Sequence, residues 1–263
     1  MPPAVKVAEL AERASTSTDA TVLRDLSRHA SKTVRISVAG NRAADDETIA
    51  RLSQDTDEVV RLSCAGNLAD RPDLQYAAAD SSEKWVRALL ASTFARNDER
   101  SLPYDLQARL ARDDFRETRG WMAETTNYRD LFDLLVTDAD PRVRARCAAN
   151  PRISRAQMEV LVTDRQWGVR AYAASAGLRY PDDEQLLRLA GDRSAQVRWA
   201  VLVRVDRPRE AIELIAQDHD EMNRRHAERA LGPGSILGPD YESSIRAARA
   251  RATHDLGFEP PPS

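Results

Sequence analysis

Short segments with one apolar face alternate with polar turns along most of the chain. In many of them two large apolar residues stand three positions apart, and an Asp follows three residues later. This spacing places both apolar side chains on one side of an α-helix, whereas a half-buried strand needs strict alternation. We therefore predict a short helix before each Asp, with helix starts at Asp45, Ser154 and Asp206, whose side chains can accept from free backbone amides. The pairs are Ile49 and Leu52, Phe132 and Leu135, Met158 and Leu161, Leu186 and Leu189, and Ile212 and Ile215.

A second phrase, Val followed by Arg, recurs after these Asp residues. Successive arginines are mostly 26 residues apart, with one longer interval of 32. Each phrase opens about two turns of helix, as in VRISVAGN and VRARCAAN, and Gly or Asn ends it. A fixed period of this length indicates stacked two-helix units. The phrases are Val34-Arg35, Val60-Arg61, Val86-Arg87, Val143-Arg144, Val169-Arg170 and Val197-Arg198, with degenerate copies at Thr118-Arg119 and Asn223-Arg224.

An Asp stands six residues before most of these arginines, although Asp80 is one position out of register and His29 takes its place in the first copy. A catalytic pair is needed once, whereas a repeated pair suits every joint of a stack. We interpret the series as structural, with each Asp capping the second helix and each exposed pair contributing roughly 0.2–1 kcal/mol. This Asp–Arg ladder comprises Asp55, Arg61, Arg87, Asp113, Arg119, Asp138, Arg144, Asp164, Arg170, Asp192, Arg198, Asp218 and Arg224.

These patterns predict an all-α protein, a right-handed α-solenoid of about eight short two-helix repeats with capping helices at both ends. Neither helix of a unit is long enough to be stable alone, so stability must come from stacking. The predicted segments are an N-terminal capping helix over 1–16, the array over 17–230, a Gly/Pro hinge over 231–239, a C-terminal helix over 240–256 and a disordered tail over 257–263.

The repeated phrase resembles that of the leucine-rich repeat variant family, most closely at VRARCAANPRISRAQMEVLVTD, residues 143–164. It is also similar to HEAT repeats, in which an Asp and a Val-Arg pair have the same separation. The resemblance covers about residues 20–230 and implies the fold, but says little about function. Some members of the family carry a cysteine-rich iron–sulfur segment before the array. This sequence has no match to it, so no cluster is inferred.

Composition and charge narrow the function classes. The chain has a net charge of −3, with 42% hydrophobic and 31% charged residues, which is typical of a soluble folded protein. No apolar run approaches the roughly 20 residues that span a bilayer, and we expect a cytoplasmic protein without membrane attachment. A nucleic-acid partner usually requires a strongly basic face, so the acidic balance makes nucleic acid the second candidate partner, behind protein or peptide.

The cysteines and histidines indicate no metal or cofactor site. Cys64 and Cys147 occupy equivalent positions three repeats apart, which is too far for a disulfide or a shared metal, and we expect both in the core. The histidines lack ligand spacing, since His219 and His226 are seven residues apart. We therefore predict no cofactor and no bound metal.

Aromatic residues near the ladder are the candidate contacts for a partner. One slot is polar in some copies and aromatic in others, which favours a surface position, and Trp, Tyr and Arg dominate interface energies. The alternative is that they fill gaps between adjacent helices. The insertion at residues 94–105 is a second candidate contact region or a tolerated insertion. The aromatic candidates are Trp85, Trp121, Trp167, Tyr172 and Trp199.

We hypothesise that the chain is a non-catalytic binding scaffold, because no single constellation suited to catalysis stands out. The alternative is a nucleic-acid-binding HEAT-like protein, which includes the alkylpurine DNA glycosylases. In that family a Trp is followed one helical turn later by a catalytic Asp. Here only Glu124, three residues after Trp121, comes near this arrangement.

Overall fold

A computed structural model describes residues 4–94, 100–177, 180–232, 243 and 257–262. Over these residues the regular structure is helical, apart from one isolated bridge between Tyr128 and Glu259. The all-α repeat fold predicted from the sequence is confirmed. The chain divides into two compact units, Met1–Thr125 and Thr126–Ser263, a division that the unbroken repeat pattern did not indicate.

Among its described residues, the N-terminal unit contains α1 (Ala4–Thr16) and four repeats, each with a first helix, A, and a second helix, B. The repeats are α2 (Ala20–Leu26) with α3 (Lys32–Gly40), α4 (Asp46–Leu52) with α5 (Glu58–Ser63) and the short α6 (Ala65–Ala69), α7 (Pro72–Ala79) with α8 (Lys84–Ser92), and α9 (Tyr104–Leu110) with α10 (Arg116–Thr125). Adjacent B helices pack side by side, and α1 packs against α3 as a preceding B helix would.

The C-terminal unit contains four further repeats among its described residues. They are α11 (Arg129–Leu135) with α12 (Pro141–Cys147), α13 (Arg155–Val162) with α14 (Trp167–Ser175), α15 (Asp183–Ala190) with α16 (Ala195–Leu202), and α17 (Arg209–Ile215) with α18 (Glu221–Leu231). The B helices α12, α14, α16 and α18 lie next to one another in that order, so their outer sides line one face of this unit.

The helix starts follow local cap chemistry at some predicted positions and not at others. The Asp45 side chain accepts a hydrogen bond from the Thr48 amide, and Ser154 forms a capping box with Gln157. Asp206, predicted to start a helix, instead forms a buried ion pair with Arg204, and α17 begins after Pro208. Capping at that start is wrong, because the carboxylate is needed by a buried guanidinium.

The predicted apolar pairs of the A helices form the core. All ten of these side chains are at most 1% exposed. Burying a side chain of this size contributes about 1.5–3 kcal/mol, which lone helices of seven or eight residues could not recover in water. Cys64 and Cys147 are also buried, as expected.

The ends of the chain differ in part from the predicted segments. Helix α18 continues to Leu231 with Gly232 as its C-cap, and the rest of the predicted hinge lies outside the described residues. The C-terminal helix predicted over 240–256 lies outside them too, apart from Ser243. We predicted a disordered tail over 257–263. Residues 257–262 instead lie against the start of the C-terminal unit, through backbone pairing and an aromatic contact.

Candidate interaction surface

The ladder arginines join each repeat to the next one. Arg144 donates through Nε and Nη2 to the two carboxylate oxygens of Asp164, at 2.7 and 3.0 Å, and through Nη1 to the Asp138 carbonyl at 2.7 Å. The six-residue spacing thus links Arg to the backbone of its own turn, whereas its carboxylate partner belongs to the following repeat. Equivalent pairs are Arg35–Asp55, Arg87–Asp113, Arg170–Asp192 and Arg198–Asp218.

Three more ladder arginines make the same backbone contact. Arg61, Arg119 and Arg224 donate to the carbonyls of the residues six positions before them, Asp55, Asp113 and Asp218. Asp80, which is out of register, pairs with Arg109 on the adjacent A helix instead of with Arg61. One residue of register is therefore enough to break the carboxylate contact at that joint.

The ladder carboxylates do not cap the B helices directly. Each accepts a hydrogen bond from the amide two residues later, as Asp138 does from Asp140, which is an Asx turn. Asp140 is then the N-cap of α12. Capping by the ladder Asp is therefore a wrong prediction in this repeat, because that carboxylate already serves the turn. In the first repeat the His29 ring accepts the equivalent hydrogen bond from Ser31.

The ladder pairs are buried, not exposed as their sequence position suggested. The Arg144 and Asp164 side chains are only 8% and 7% exposed. Hydrogen bonding to Asp164 raises the pKa of Arg144 although burial opposes it. Burial alone would raise the pKa of Asp164, but hydrogen bonds from Arg144 and the Gln166 amide outweigh it and lower the pKa. Both groups thus stay charged across the ordinary pH range.

A second series of inter-repeat contacts was missed at the sequence level. The Asn six residues after the ladder Arg donates its side-chain amide to a carbonyl near the end of the preceding B helix, as from Asn67 to Ala39 at 2.8 Å. Asn41 and Asn150 make equivalent bonds. Arg204 takes this slot after Arg198 and donates to the Ala174 carbonyl. The recurrence of Asn at this offset was the available signal.

The chain is similar to a solved structure titled "A leucine-rich repeat variant with a novel repetitive protein structural motif". The two chains are 22% identical, the match covers 74% of this chain and 80% of the other, and the TM-score is 0.45. No family model matches the chain, and no curated protein matches it.

The two candidate tryptophans of the N-terminal unit lie on adjacent B helices. Trp85 on α8 is 46% exposed and meets the Phe115 ring edge-on at 4.7 Å, with the Lys84 ammonium 5.0 Å from the Phe115 centroid. Trp121 on α10 is half-buried, and the adjacent Met122 is in the core. Trp85 thus combines partial exposure with contact between repeats, so neither interpretation of the aromatic candidates holds alone for it.

The other three candidates lie on adjacent B helices of the C-terminal unit. On α14, Trp167 is 52% exposed and Tyr172 is 43% exposed, so both project from the surface. On α16, Trp199 is half-buried and its ring meets His226 of α18 edge-on at 4.9 Å. The gap-filling interpretation therefore fits Trp199, whereas Trp167 and Tyr172 are surface residues.

The charges around these aromatics are unevenly distributed. Helices α14 and α16 each contain a single charged residue, the ladder arginine. Beside them, α12 carries the exposed Arg142 and the half-exposed Arg146. We call the outer side of α12, α14, α16 and α18 the B face of the C-terminal unit. At its centre, α14 and α16 carry aromatic residues and no charged side chain besides the ladder arginines, and its α12 edge is basic.

Among the described residues, a metal site, a reactive thiol and a membrane-spanning helix all lack support. Within them, no three or more His, Cys, Asp or Glu side chains are placed to hold a metal ion. Burial raises the pKa of the Cys64 thiol to about 12, which makes it a poor nucleophile. None of the helices in the described part of the chain is both long and apolar enough to cross a bilayer.

Proposed function

We propose that the B face of the C-terminal unit binds a segment of another protein, and that the chain acts as a scaffold without catalysis. The observation that carries this proposal is the pair Trp167 and Tyr172, which project from one helix with about half of each residue in solvent. Trp and Tyr are among the residues that dominate interface energies, and large exposed aromatic side chains commonly mark interaction sites.

The energetics support this assignment. Full burial of an aromatic side chain removes about 150–250 Å² of its surface from water. Covering the exposed half of one such side chain therefore contributes roughly 2–3 kcal/mol to binding. A helix fixes both side chains before binding, and each has only two rotatable bonds, which keeps the entropy loss small. Two such anchors are sufficient for a specific, moderate-affinity contact once polar contacts are added at the rim.

The charges favour one kind of segment. The only charged side chains of α14 and α16 are the ladder arginines, which pair with Asp192 and Asp218, so these helices suit apolar side chains of the partner. The exposed Arg142 at the α12 edge suits an acidic residue beside them. We therefore assign the partner as an apolar segment flanked by Asp or Glu. Nucleic acid is the competing partner, since aromatic and Arg side chains also suit unpaired bases.

The test is selection of peptides from a random display library, followed by fluorescence anisotropy with the recovered peptides. We expect apolar sequences with a flanking acid, and loss of at least tenfold in affinity on Tyr172→Ala. Gly168→Glu should also abolish binding, because Gly168 lies beside Trp167 and a Cβ there would meet no atom within 4 Å. That substitution adds bulk and negative charge to the B face without disturbing the packing.

Two controls separate the surface from its alternatives. Val160→Ala truncates a 44% exposed side chain on the A helix α13 and should leave binding unchanged. Labelled single-stranded and duplex oligonucleotides, tested at two salt concentrations, address the competing partner, since phosphate binding weakens steeply with salt. Salt-sensitive oligonucleotide binding lost in Tyr172→Ala, with no peptide selected, would replace the proposal by a nucleic-acid function.

A further inference from the structure

The last described residues of the chain lie against the start of the C-terminal unit. The Glu259 amide donates to the Asn127 carbonyl at 2.6 Å, and the Arg129 amide donates to the Glu259 carbonyl at 3.2 Å. These two bonds form a parallel bridge to Tyr128, the only bridge among the described residues. The tail therefore pairs with backbone groups just before α11 and at its first residue.

Side chains give this contact selectivity. The Phe258 ring lies 4.8 Å from the ring of Phe132, which is fully buried. The side-chain amide of Asn127 donates through Nδ2 to the Glu259 carboxylate at 2.6 Å. The Tyr128 hydroxyl also hydrogen-bonds to Glu259. The pKa of Tyr128 is raised mainly by burial, and the Glu259 carboxylate raises it further. An aromatic residue followed by an acid thus meets complementary groups at consecutive positions.

The sequence on either side limits the contact to these two residues. Gly257 adopts a φ of +49°, a left-handed conformation that favours glycine, and turns the chain before the pairing begins. Pro261, the next residue whose amide would face the same side, has no amide hydrogen, so the bridge cannot extend into a longer ladder of bonds. Glu259 and the three prolines remain exposed. Such a small, open contact is suited to reversible exchange.

We propose that residues 127–132 form a docking site for an extended peptide with an aromatic residue followed by an acid, and that the chain's own Phe258-Glu259 occupies it in cis. This site is separate from the B face and does not depend on the proposed function. A ligand that already fills a site lowers the apparent affinity for an added one in proportion to its occupancy.

The binding test uses the full chain and a fluorescein-labelled peptide, GFEPPPS. The double variant Phe258→Ala with Glu259→Lys should vacate the site and bind this peptide at least tenfold more tightly than the unmodified chain does. The peptide GAKPPPS should not bind. Adding Tyr128→Phe to the double variant removes one hydrogen bond to the peptide and should weaken binding several-fold, while the melting temperature stays the same.

Contrary results are distinguishable. Equal binding by the unmodified chain and the double variant, or equal binding of both peptides, would overturn the proposal. Dimers of the unmodified chain that disappear in the double variant would assign the tail to a neighbouring copy and overturn the cis arrangement.

Hydrogen exchange in the unmodified chain gives a measurement that needs no variant. The Glu259 amide should be protected, yet should exchange faster than core amides of the C-terminal unit such as Phe132, which report global unfolding. Absence of protection would mean that the tail does not dock. Exchange of Glu259 only at the core rate would mean a permanent structural element, and either result would overturn reversible docking.

Discussion

Removing the charge of Asp164 tests whether the ladder is a major source of stability. Asp164→Asn keeps an oxygen that can accept the Gln166 amide in the Asx turn, but leaves the Arg144 guanidinium without a counter-charge. Losing one partner of a buried pair costs about 3–5 kcal/mol, whereas an exposed pair is worth about 0.2–1 kcal/mol. With both side chains under one-tenth exposed and one hydrogen bond retained, we expect a loss of about 2–3 kcal/mol.

The assay is urea unfolding followed by far-ultraviolet circular dichroism, with Glu213→Gln as the matched control. Glu213 pairs with Arg209, and both side chains are about half exposed, so this change should cost less than about 0.5 kcal/mol. A double-mutant cycle that adds Arg144→Met should give a coupling energy of about 2 kcal/mol. Equal losses in the test and the control, or a coupling below about 0.5 kcal/mol, would refute the argument from burial.

Three further predictions address acid stability, the Asn contacts and the thiols. Burial acts to raise the pKa of Asp218, but hydrogen bonds from Arg198 and other donors lower this pKa to about 2. The folded value therefore lies below the unfolded value of about 3.9. The contribution of Asp218 to the free energy of unfolding is thus complete above the unfolded value and is lost as pH falls towards 2. Acid titration of Asp218→Asn should therefore show a shallower loss of stability than that of the unmodified chain, and parallel curves would contradict this. Asn67→Ala leaves a carbonyl of the preceding B helix without its donor and should cost about 1–3 kcal/mol in chemical denaturation, with no loss counting against the contact. Cys64 and Cys147 are buried, so a thiol reagent such as 5,5′-dithiobis(2-nitrobenzoate) should react with neither in the native protein and with both in denaturant, and rapid native labelling would show that the core is open.

The sequence alone was sufficient for the repeat period and for the helix pairs. Apolar spacing within one helix depends only on the helical turn, so Phe132 and Leu135 could be assigned to the core before any coordinates. The ladder positions were visible for the same reason, as a fixed offset that recurs in successive units.

Tertiary structure decided which partner each of these residues meets and how much water reaches it. Arg144 binds the carboxylate of Asp164 because stacking brings this Asp of the next repeat against its guanidinium. Trp199 meets His226 of the adjacent helix, whereas Tyr172 remains exposed, and spacing within a single helix does not encode this difference. The docking of Phe258 on Phe132 joins residues far apart in the chain, and no local spacing encodes such a contact.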